Sequence, residues 1–281
     1  SANKLPALID GRSIYTPLAA TIFWELHNRL LEDIDQIEVI SGPGGTLYAP
    51  NAVNGVISVA TRDARDTIGG LVRVTVGDRQ RTLGARYGAP LGSGGAIRAY
   101  FSAYDREDLP QGVGPDVDDR FRGWQLGFRS DFQSGASQFT LQGDLFRSEG
   151  RALPGDRDTG HNLLARWTRS FVDSSLQVQA YYDYFERDFL LVSDALQTFD
   201  LEGQYNFRAG AHDVVIGAGI RTTRDEFINT LNPFRLDPPR RRLWVFNLFA
   251  QDRIALTEQL SLIAGVKLEN AAELVGKLKE A

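Results

Sequence analysis

The sequence predicts a mainly β protein, in which a small mixed α/β segment is followed by antiparallel, up-and-down strands. Apolar and polar residues alternate with a period of two over long stretches, as expected for half-buried strands. Turn-forming residues recur between these stretches. The chain also contains 28 glycines and 10% aromatic residues. Glycine supplies turn conformations and aromatic side chains favour pleated surfaces, so this composition suits a β-rich fold.

The first segment contains short apolar runs that predict strands of a small domain. These runs are Ala7–Ile9, 37–40 and 56–60, and residues 30–34 are expected to form one or two helical turns. Turn formers separate the runs, because Asp-Gly, Asn-Gly and glycine-rich stretches let short strands reverse tightly.

From residue 70 the chain repeats the pattern of strand, turn and strand. In segment 175–187, which is the clearest, Leu176 and Tyr182 lie on one face and Gln179 and Asp183 on the other. Eleven strands are predicted, at 70–77, 80–89, 97–106, 123–132, 138–147, 161–171, 175–187, 199–208, 213–223, 242–254 and 259–269.

The two faces of these strands indicate a transmembrane barrel. One face is apolar and rich in aromatics, while the other carries Gln, Asn, Thr, Asp and Arg. A membrane barrel needs an apolar lipid-facing band and a polar interior, in strands of about 9–11 residues. The connections also alternate between short and long, which is typical of periplasmic turns and extracellular loops. The short ones are predicted at 90–95, 133–136, 172–174, 208–211 and 257–258, and the long ones at 107–120, 148–160, 188–194 and 225–240.

Composition excludes several other classes of function. The chain has no cysteine, so thiolate metal sites, cysteine nucleophiles and disulfides are excluded. Its net charge of −5 argues against a nucleic-acid binder. The three histidines are far apart, and no nucleophile elbow, P-loop or HExxH motif occurs. We therefore expect no enzyme activity, no cofactor and no metal site.

Two stretches, 8–15 and 34–57, resemble the plug domain of TonB-dependent receptors. The resemblance rests on a strand ending in Asp-Gly, followed by IEVI-x-GP and then NAVNGVI. The structural residues of this motif are Asp10, Gly11, Glu38, Gly42, Pro43, Asn54 and Gly55. Two departures stand out: Ser41 replaces the usual Arg, which puts some docking contacts in doubt, and Ala49-Pro50 replaces the usual Gly followed by a small residue.

The resemblance implies a domain organisation. Residues 1–68 correspond to a plug whose N-terminal part is missing, and residues 69–269 to a partial, truncated barrel with about 11 of a probable 22 strands. Residues 270–281 depart from the family pattern and read as a short amphipathic helical tail. Because a half barrel has two open edges, this polypeptide alone is expected to be unable to form the complete transporter.

The resemblance also implies TonB-energised uptake of a metal chelate across the outer membrane of a Gram-negative bacterium. A ferric siderophore is favoured because it is the commonest ligand of the family, with cobalamin or haem as alternatives. The implied partners are this ligand, the TonB complex through a missing N-terminal segment, and outer-membrane lipid and lipopolysaccharide. A passive barrel or surface adhesin without energy coupling is the second hypothesis, and a soluble β enzyme is the third.

By position, two loops of the plug should face outward and contact the ligand. The candidate ligand-binding residues are Tyr15, Thr16, Phe23, Trp24, Tyr48 and Asn51. Phe23 and Trp24 could instead pack against the barrel wall. Arg235 and Arg240–Arg242 form a cationic cluster, which could steer an anionic chelate, form a solvated rim or contact lipopolysaccharide.

Overall fold

The computed structural model describes residues 5–16, 21–41, 55–107, 119–150, 156–189, 192–229 and 238–273. Their strands form two sheets, one of four strands and one of eleven, which we call the plug sheet and the wall. The helical elements among these residues are 3₁₀ turns at Trp24–Leu26, Leu31–Asp33 and Ala64–Thr67. None of these helices is long or apolar enough to cross a membrane.

The plug sheet has the strand order β2-β1-β4-β3. Its strands are β1 (Ala7–Ile9), β2 (Arg12–Ser13), β3 (Ile34–Ser41) and β4 (Gly55–Thr61). β1 runs parallel to β4 and antiparallel to β2, and β3 is antiparallel to β4. A small apolar core lies on one side of this sheet, and its buried members are Ala7, Ile9, Ile14 and Val59.

The turn between β1 and β2 is the predicted Asp-Gly turn. Asp10 and Gly11 have φ angles of 52° and 81°, and such left-handed backbone at both central residues suits a two-residue hairpin. The buried carboxylate of Asp10 accepts hydrogen bonds from the backbone N–H of Thr61 at 2.8 Å and from its hydroxyl at 2.9 Å. The turn is thereby fixed to the end of β4.

The wall is an antiparallel meander in which consecutive strands are hydrogen-bonded neighbours. This confirms the predicted mainly β, up-and-down architecture. The strands are β5 (Gly69–Val76), β6 (Gln80–Leu91), β7 (Gly95–Arg106), β8 (Phe121–Ser134), β9 (Ser137–Gly150), β10 (Arg157–Ser170), β11 (Ser174–Phe189), β12 (Val192–Ala209), β13 (His212–Asn229), β14 (Arg240–Ala255) and β15 (Ser261–Glu273).

One predicted long loop, at 188–194, is wrong. β11 continues to Phe189 and β12 begins at Val192, so only residues 190 and 191 connect them, and these lie outside the described residues. The polar residues of this stretch belong to strand ends. Asp188, for example, accepts a hydrogen bond from Arg157 at 3.0 Å across the β10–β11 pair.

The predicted helical tail also needs correction at its start. Residues 270–273 continue β15, and Asn270 pairs with Phe246 of β14. Pairing with a neighbouring strand satisfies the backbone here, so tertiary context overrides the helical pattern of the local sequence. Residues 274–281 lie outside the described residues.

The wall has a polar face and an apolar face. The plug residues lie against the polar face, which we call the inner face, and the opposite side is the outer face. On β11, inner Gln179 is only 8% exposed, whereas outer Tyr182 is 36% exposed. On β9, inner Gln142 is buried and outer Leu145 is exposed. The wall therefore buries polar side chains and exposes apolar ones, the reverse of a soluble sandwich.

Charged or titratable residues bound the apolar band of the outer face. On β13 the outer residues of 214–222 lie between His212 and Arg224. This stretch of nine residues matches the length with which a tilted strand crosses the hydrocarbon core. The outer face thus has the dimensions of a lipid-facing surface.

The loss in free energy of unfolding caused by a charge in this band should depend on how deep in the band the charge lies. Leu201 is an outer residue paired with Ile220 near the middle of the band, whereas Val214 is next to His212 at its edge. We expect Leu201→Arg to lower the free energy of unfolding by about 2–4 kcal/mol and Val214→Arg by about 0–1 kcal/mol. Denaturant unfolding in lipid vesicles, followed by tryptophan fluorescence, measures both. Equal costs would contradict the assignment of this face to lipid.

Candidate functional site

The two ends of the wall differ in their connections. At one end, the short-turn end, β6 to β15 are joined in pairs by residues 92–94, 135–136, 171–173, 210–211 and 256–260. The opposite end carries the longer segments 107–120, 151–156 and 230–239 besides the short connections 77–79 and 190–191, and we call it the long-loop end. The position of a residue along its strand therefore tells how far each contact between the plug and the wall lies from the short-turn end.

The turn at Ala64–Thr67 anchors the plug at the short-turn end. The backbone N–H of Ala64 donates to the Asp131 carboxylate at 2.7 Å, and Arg65 donates to Gln133 at 3.0 Å. The carbonyl oxygen of Thr67 lies very close to Gly88. A Cβ atom added to Gly88 would come within 2.1 Å of that oxygen. Gly88 thus permits a close approach of the chain where it passes from plug to wall.

The next contact toward the long-loop end is made by Asp10, where the β1–β2 turn of the plug meets β8, β9 and β10. Gln142 donates to its carboxylate at 2.9 Å, and Arg129 lies 3.6 Å away. Arg166 donates to its backbone carbonyl. Burial alone would raise the pKa of Asp10, but the charges of Arg29 and Arg129 and the hydrogen bonds hold that pKa below its ordinary value. Asp10 is therefore a buried anion shared by plug and wall.

Arg29 forms an ion pair with Asp144 at mid-height of the wall. Both side chains are at least 91% buried. Asp144 also accepts hydrogen bonds from Tyr100 at 2.5 Å and Asn162 at 3.2 Å, so three strands of the wall converge on it. Burial would lower the pKa of Arg29, but Asp144, Tyr100 and Asp10 raise it above its ordinary value. Arg29 therefore remains a cation.

Further ion pairs join the plug to the wall on either side of this centre. The additional pairs are Arg12–Asp183, Glu32–Arg73, Asp33–Arg86 and Asp33–Arg98. Buried ion pairs add little net stability, because desolvation offsets their attraction, but losing one partner is costly. The interface is consequently specific in register, and separating it would leave several buried charges unpaired.

At the long-loop end the interface becomes aromatic. The Phe23 ring lies 5.8 Å from that of Phe185, and the Arg187 guanidinium sits 4.4 Å from the Phe23 centroid. Leu26 is buried in the same cluster as Phe146 and Phe185. His27 faces Phe146 edge-on at 6.5 Å. Burial and the charges of Arg12 and Arg29 hold the pKa of His27 well below its ordinary value of 6.5, so the ring is neutral.

A small recess of about 40 Å³ lies between this aromatic segment and the wall. Its lining includes Tyr15, Thr16, Phe23, His27, Phe146, Asp183, Phe185 and Thr198. Such a volume is of the order of one water molecule. The recess marks where the plug surface meets the inner face of the wall.

The structure brings together three of the predicted ligand-binding residues. Tyr15, Thr16 and Phe23 line the recess, whereas Trp24 is 48% exposed beside it. Phe23 packs on the wall, in agreement with the alternative interpretation of this residue. Tyr48 and Asn51 lie outside the described residues.

Of the structural motif, Asp10 and Gly11 form the β1–β2 turn, and Gly55 begins β4 with a φ of 131°. Glu38 is exposed on β3, where Gln36 donates to it at 2.7 Å. Gly42, Pro43 and Asn54 lie outside the described residues.

Sequence reasoning misses the charged centre of the site. Arg29, His27 and Asp144 are not among the predicted site residues, although the period-two pattern places Asp144 on the inner face of β9. A polar residue on a predicted inner face is a usable signal. The sequence does not identify the partner of such a residue, because Arg29 and Asp144 are 115 positions apart.

Removing the anion at the centre should loosen the plug. We expect Asp144→Asn to cost about 3–5 kcal/mol, since Arg29 is left buried without its partner. The matched control Glu149→Gln, which breaks the exposed pair to Arg122, should cost about 0–1 kcal/mol. Denaturant unfolding gives the stabilities, and hydrogen exchange over residues 5–68 reports loosening. A control variant as unstable as Asp144→Asn would contradict this role for the pair.

His27 should make the folded protein sensitive to mild acid. Its depressed pKa means that the unfolded chain binds a proton first, so stability is lost as pH falls below about 6.5. His27→Phe should remove this loss, which amounts to at most about 2 kcal/mol between pH values of about 6.5 and 5. Thermal unfolding at several pH values measures the slope. An unchanged slope in the variant would show that another group is responsible.

Comparison with known sequences finds relatives of this chain. Residues 60–273 match the sequence model of the family described as TonB dependent receptor-like, beta-barrel. The vitamin B12 transporter BtuB from Vibrio vulnificus (strain CMCP6) is 26% identical over 145 residues, which are 49% of this chain and 23% of that protein.

Solved structures share the fold. The siderophore receptor PirA from Pseudomonas aeruginosa superposes with a TM-score of 0.72 at 19% identity, covering 97% of this chain and 50% of that one. PirA from Acinetobacter baumannii gives a TM-score of 0.76 at 12% identity, covering 96% of this chain and 49% of that one. The chain therefore spans about half the length of these receptors.

Proposed function

Because the chain belongs to the TonB-dependent receptor family, we propose that it is part of an outer-membrane receptor for TonB-energised uptake of a metal chelate. The observation that carries this proposal is the plug docked on the inner face of the wall through buried charges, from Asp131 at the short-turn end to Phe185 at the long-loop end. A plug held in this way blocks free diffusion. Transport past such a plug then requires work on the plug, whereas diffusion through a passive barrel requires none.

We further propose that the ligand is a ferric siderophore, with cobalamin or haem as the alternatives. The names of the relatives support these classes, since PirA is a siderophore receptor and BtuB a vitamin B12 transporter. The exposed face of Trp24, with Tyr15 and Phe23 beside it, offers aromatic surface at the long-loop end. Tyr48 and Asn51 are proposed to complete the contact surface.

The proposed partners follow from the same assignment. The TonB complex would act through a segment N-terminal to the plug sheet. Outer-membrane lipid and lipopolysaccharide would surround the apolar band. Within the described residues β5 and β15 each have a free edge. Unpaired strand edges are not tolerated in hydrocarbon, so we expect further strands to pair with them and close the barrel.

Transport by the complete receptor gene tests the proposal. Under iron limitation, cells that carry it should accumulate one labelled ferric chelate from a panel of siderophores and haem, and deletion of TonB should abolish the uptake. Labelled cobalamin tests the remaining alternative. Uptake that persists without TonB would favour the passive barrel instead.

The aromatic contact surface can be tested in the same cells. Trp24→Ala should weaken binding about tenfold, equivalent to about 1.4 kcal/mol, through loss of stacking area. Phe171→Ala is the matched control, because Phe171 is 50% exposed but lies at the short-turn end. Equal effects of the two variants on binding would contradict a ligand site at Trp24.

A further inference from the structure

Two carboxyl groups meet on the inner face of the wall at its long-loop end. Asp194 of β12 and Asp225 of β13 are joined by a hydrogen bond between their side chains, and we call them the acid pair. Asp194 is only 7% exposed. The Oδ1 atom of each carboxyl is buried and has no hydrogen-bond partner among the described residues. Two buried acids in direct contact require something between them that offsets their charge.

A proton meets this requirement. Two carboxyl groups form a hydrogen bond with each other only when one of them is protonated. Burial and the neighbouring Asp225 raise the pKa of Asp194 to about 7. Both residues lie outside the apolar band, because Asp225 follows Arg224 and Asp194 pairs with Phe227. The described residues contain no group of three or more side chains that could bind a metal ion, so the acid pair is best explained by a shared proton.

Cations face the acid pair from both neighbouring strands. Arg187 of β11 is in register with Asp194, and Arg241 of β14 is in register with Asp225. The Cα atoms of such partners are about 4.5–5.5 Å apart. Arg187 is also in register with Asp158 of β10 and lies 3.5 Å from its carboxylate. Arg187 therefore lies between Asp158, with which it is paired, and Asp194, whose charge depends on the shared proton.

Arg187 also contacts the aromatic segment of the plug. Its guanidinium lies 4.4 Å from the centroid of Phe23, and a cation in this position is attracted by the face of the ring. Phe23 packs on Phe185 of the wall. The next residue of the plug is Trp24, which is 48% exposed. The position of Arg187 thus affects how firmly the segment that carries Trp24 is held against the wall.

We propose that Arg187 is a proton-linked positioning residue for the plug segment that carries Phe23 and Trp24. While the acid pair holds its proton, Arg187 stays with Asp158 and the Phe23 ring. Loss of this proton to solvent leaves a second carboxylate, that of Asp194, beside the guanidinium. Arg187 is then drawn toward Asp194, and its contact with Phe23 weakens. The inference rests on the proposed function for one point, namely that Trp24 contacts the ligand, so that the ligand surface is ordered in the protonated state and loosened in the ionised state.

His27 of the plug responds to pH in a different range. It lines the same recess as Phe23. Burial and the charges of Arg12 and Arg29 hold the pKa of His27 well below its ordinary value of 6.5. His27 therefore takes up its proton at a lower pH than that at which the acid pair loses one, and a titration separates the two events.

A titration followed at Trp24 tests the proposal. The complete receptor is labelled with 5-fluorotryptophan and purified in mild detergent, and the fluorine NMR resonance of Trp24 is assigned by its loss in W24F. We expect this resonance to shift and sharpen between about pH 6 and 8, with a midpoint near pH 7. D194N leaves no ionisable group of the acid pair opposite Arg187, so it should keep the low-pH resonance throughout. R187Q should show the high-pH resonance at every pH.

D225N gives a second, independent variant of the acid pair. It removes the acidic neighbour that raises the pKa of Asp194, so the midpoint should fall by about one pH unit or more. D188N is the matched control, because Asp188 follows Arg187 on β11 but accepts its hydrogen bond from Arg157 on the outer face. It should keep both the transition and its midpoint. H27F should also keep them, since His27 titrates at lower pH.

Three results would overturn the proposal. The first is a Trp24 resonance that does not change between about pH 6 and 8 in the unmodified protein. The second is a transition that D194N and D225N leave at the same midpoint. The third is a transition that EDTA abolishes, because a metal ion and not a proton would then join the two carboxyl groups.

This proposal and the uptake function fail separately. The titration needs no ligand, so a transition that D194N abolishes supports the role of Arg187 even where uptake does not depend on TonB. TonB-dependent uptake by a receptor whose Trp24 resonance does not titrate leaves the proposed transport intact and overturns only the role of Arg187.

Discussion

Every backbone polar group that lies in hydrocarbon must be paired within the protein, and the rest of this structure depends on that constraint. It forces the chain into long antiparallel strands with neighbours in sequence order. Period-two alternation then places apolar side chains on the outer face and polar ones on the inner face. The inner face is left with buried groups such as Asp144 and Arg129 that need partners of their own. The plug supplies those partners.

The plug and the wall are therefore complementary in charge as well as in shape. Arg29 has its anion on the wall, and Asp33 and Asp10 have their cations there. Because these pairs are buried, they add little net stability, but they strongly disfavour other registers. At the long-loop end the chemistry changes to aromatic packing around Phe23, where fewer charges tie the plug down. The interface is thus ionic in its lower and middle layers and mainly apolar at the top.

Much of the fold could be predicted from the sequence, because a strand pattern is local. Segment 175–187 shows its alternation without any knowledge of neighbours, and Asp10-Gly11 predicts its own turn. The failures have one cause. The polar stretch around Asp188 and the residues after Asn270 look like a loop and a helix on their own, yet each is held in a strand by its neighbour across the sheet.

The candidate site was less accessible to sequence reasoning. The approximate position of Tyr15, Thr16 and Phe23 follows from the family resemblance, but their grouping around one recess depends on how the plug is docked. Nothing local to Arg29 indicates that it will be buried against Asp144 on a distant strand. Pairings of this kind are properties of the assembled interface, and a single sequence shows only that polar residues are available for them.

The parallel pairing of β1 with β4 has a mechanical consequence. Tension applied to the chain before β1, and resisted where β4 leads into the wall, would act along both strands in shear. The three register pairs from Ala7 to Ile9 would then share the load and break together, whereas an antiparallel hairpin pulled from its two ends would unzip one pair at a time. The short β1 strand is thus a cooperative mechanical element. It would yield cooperatively under such tension, while the contacts of Asp10 with Thr61 and Gln142 would still hold the turn.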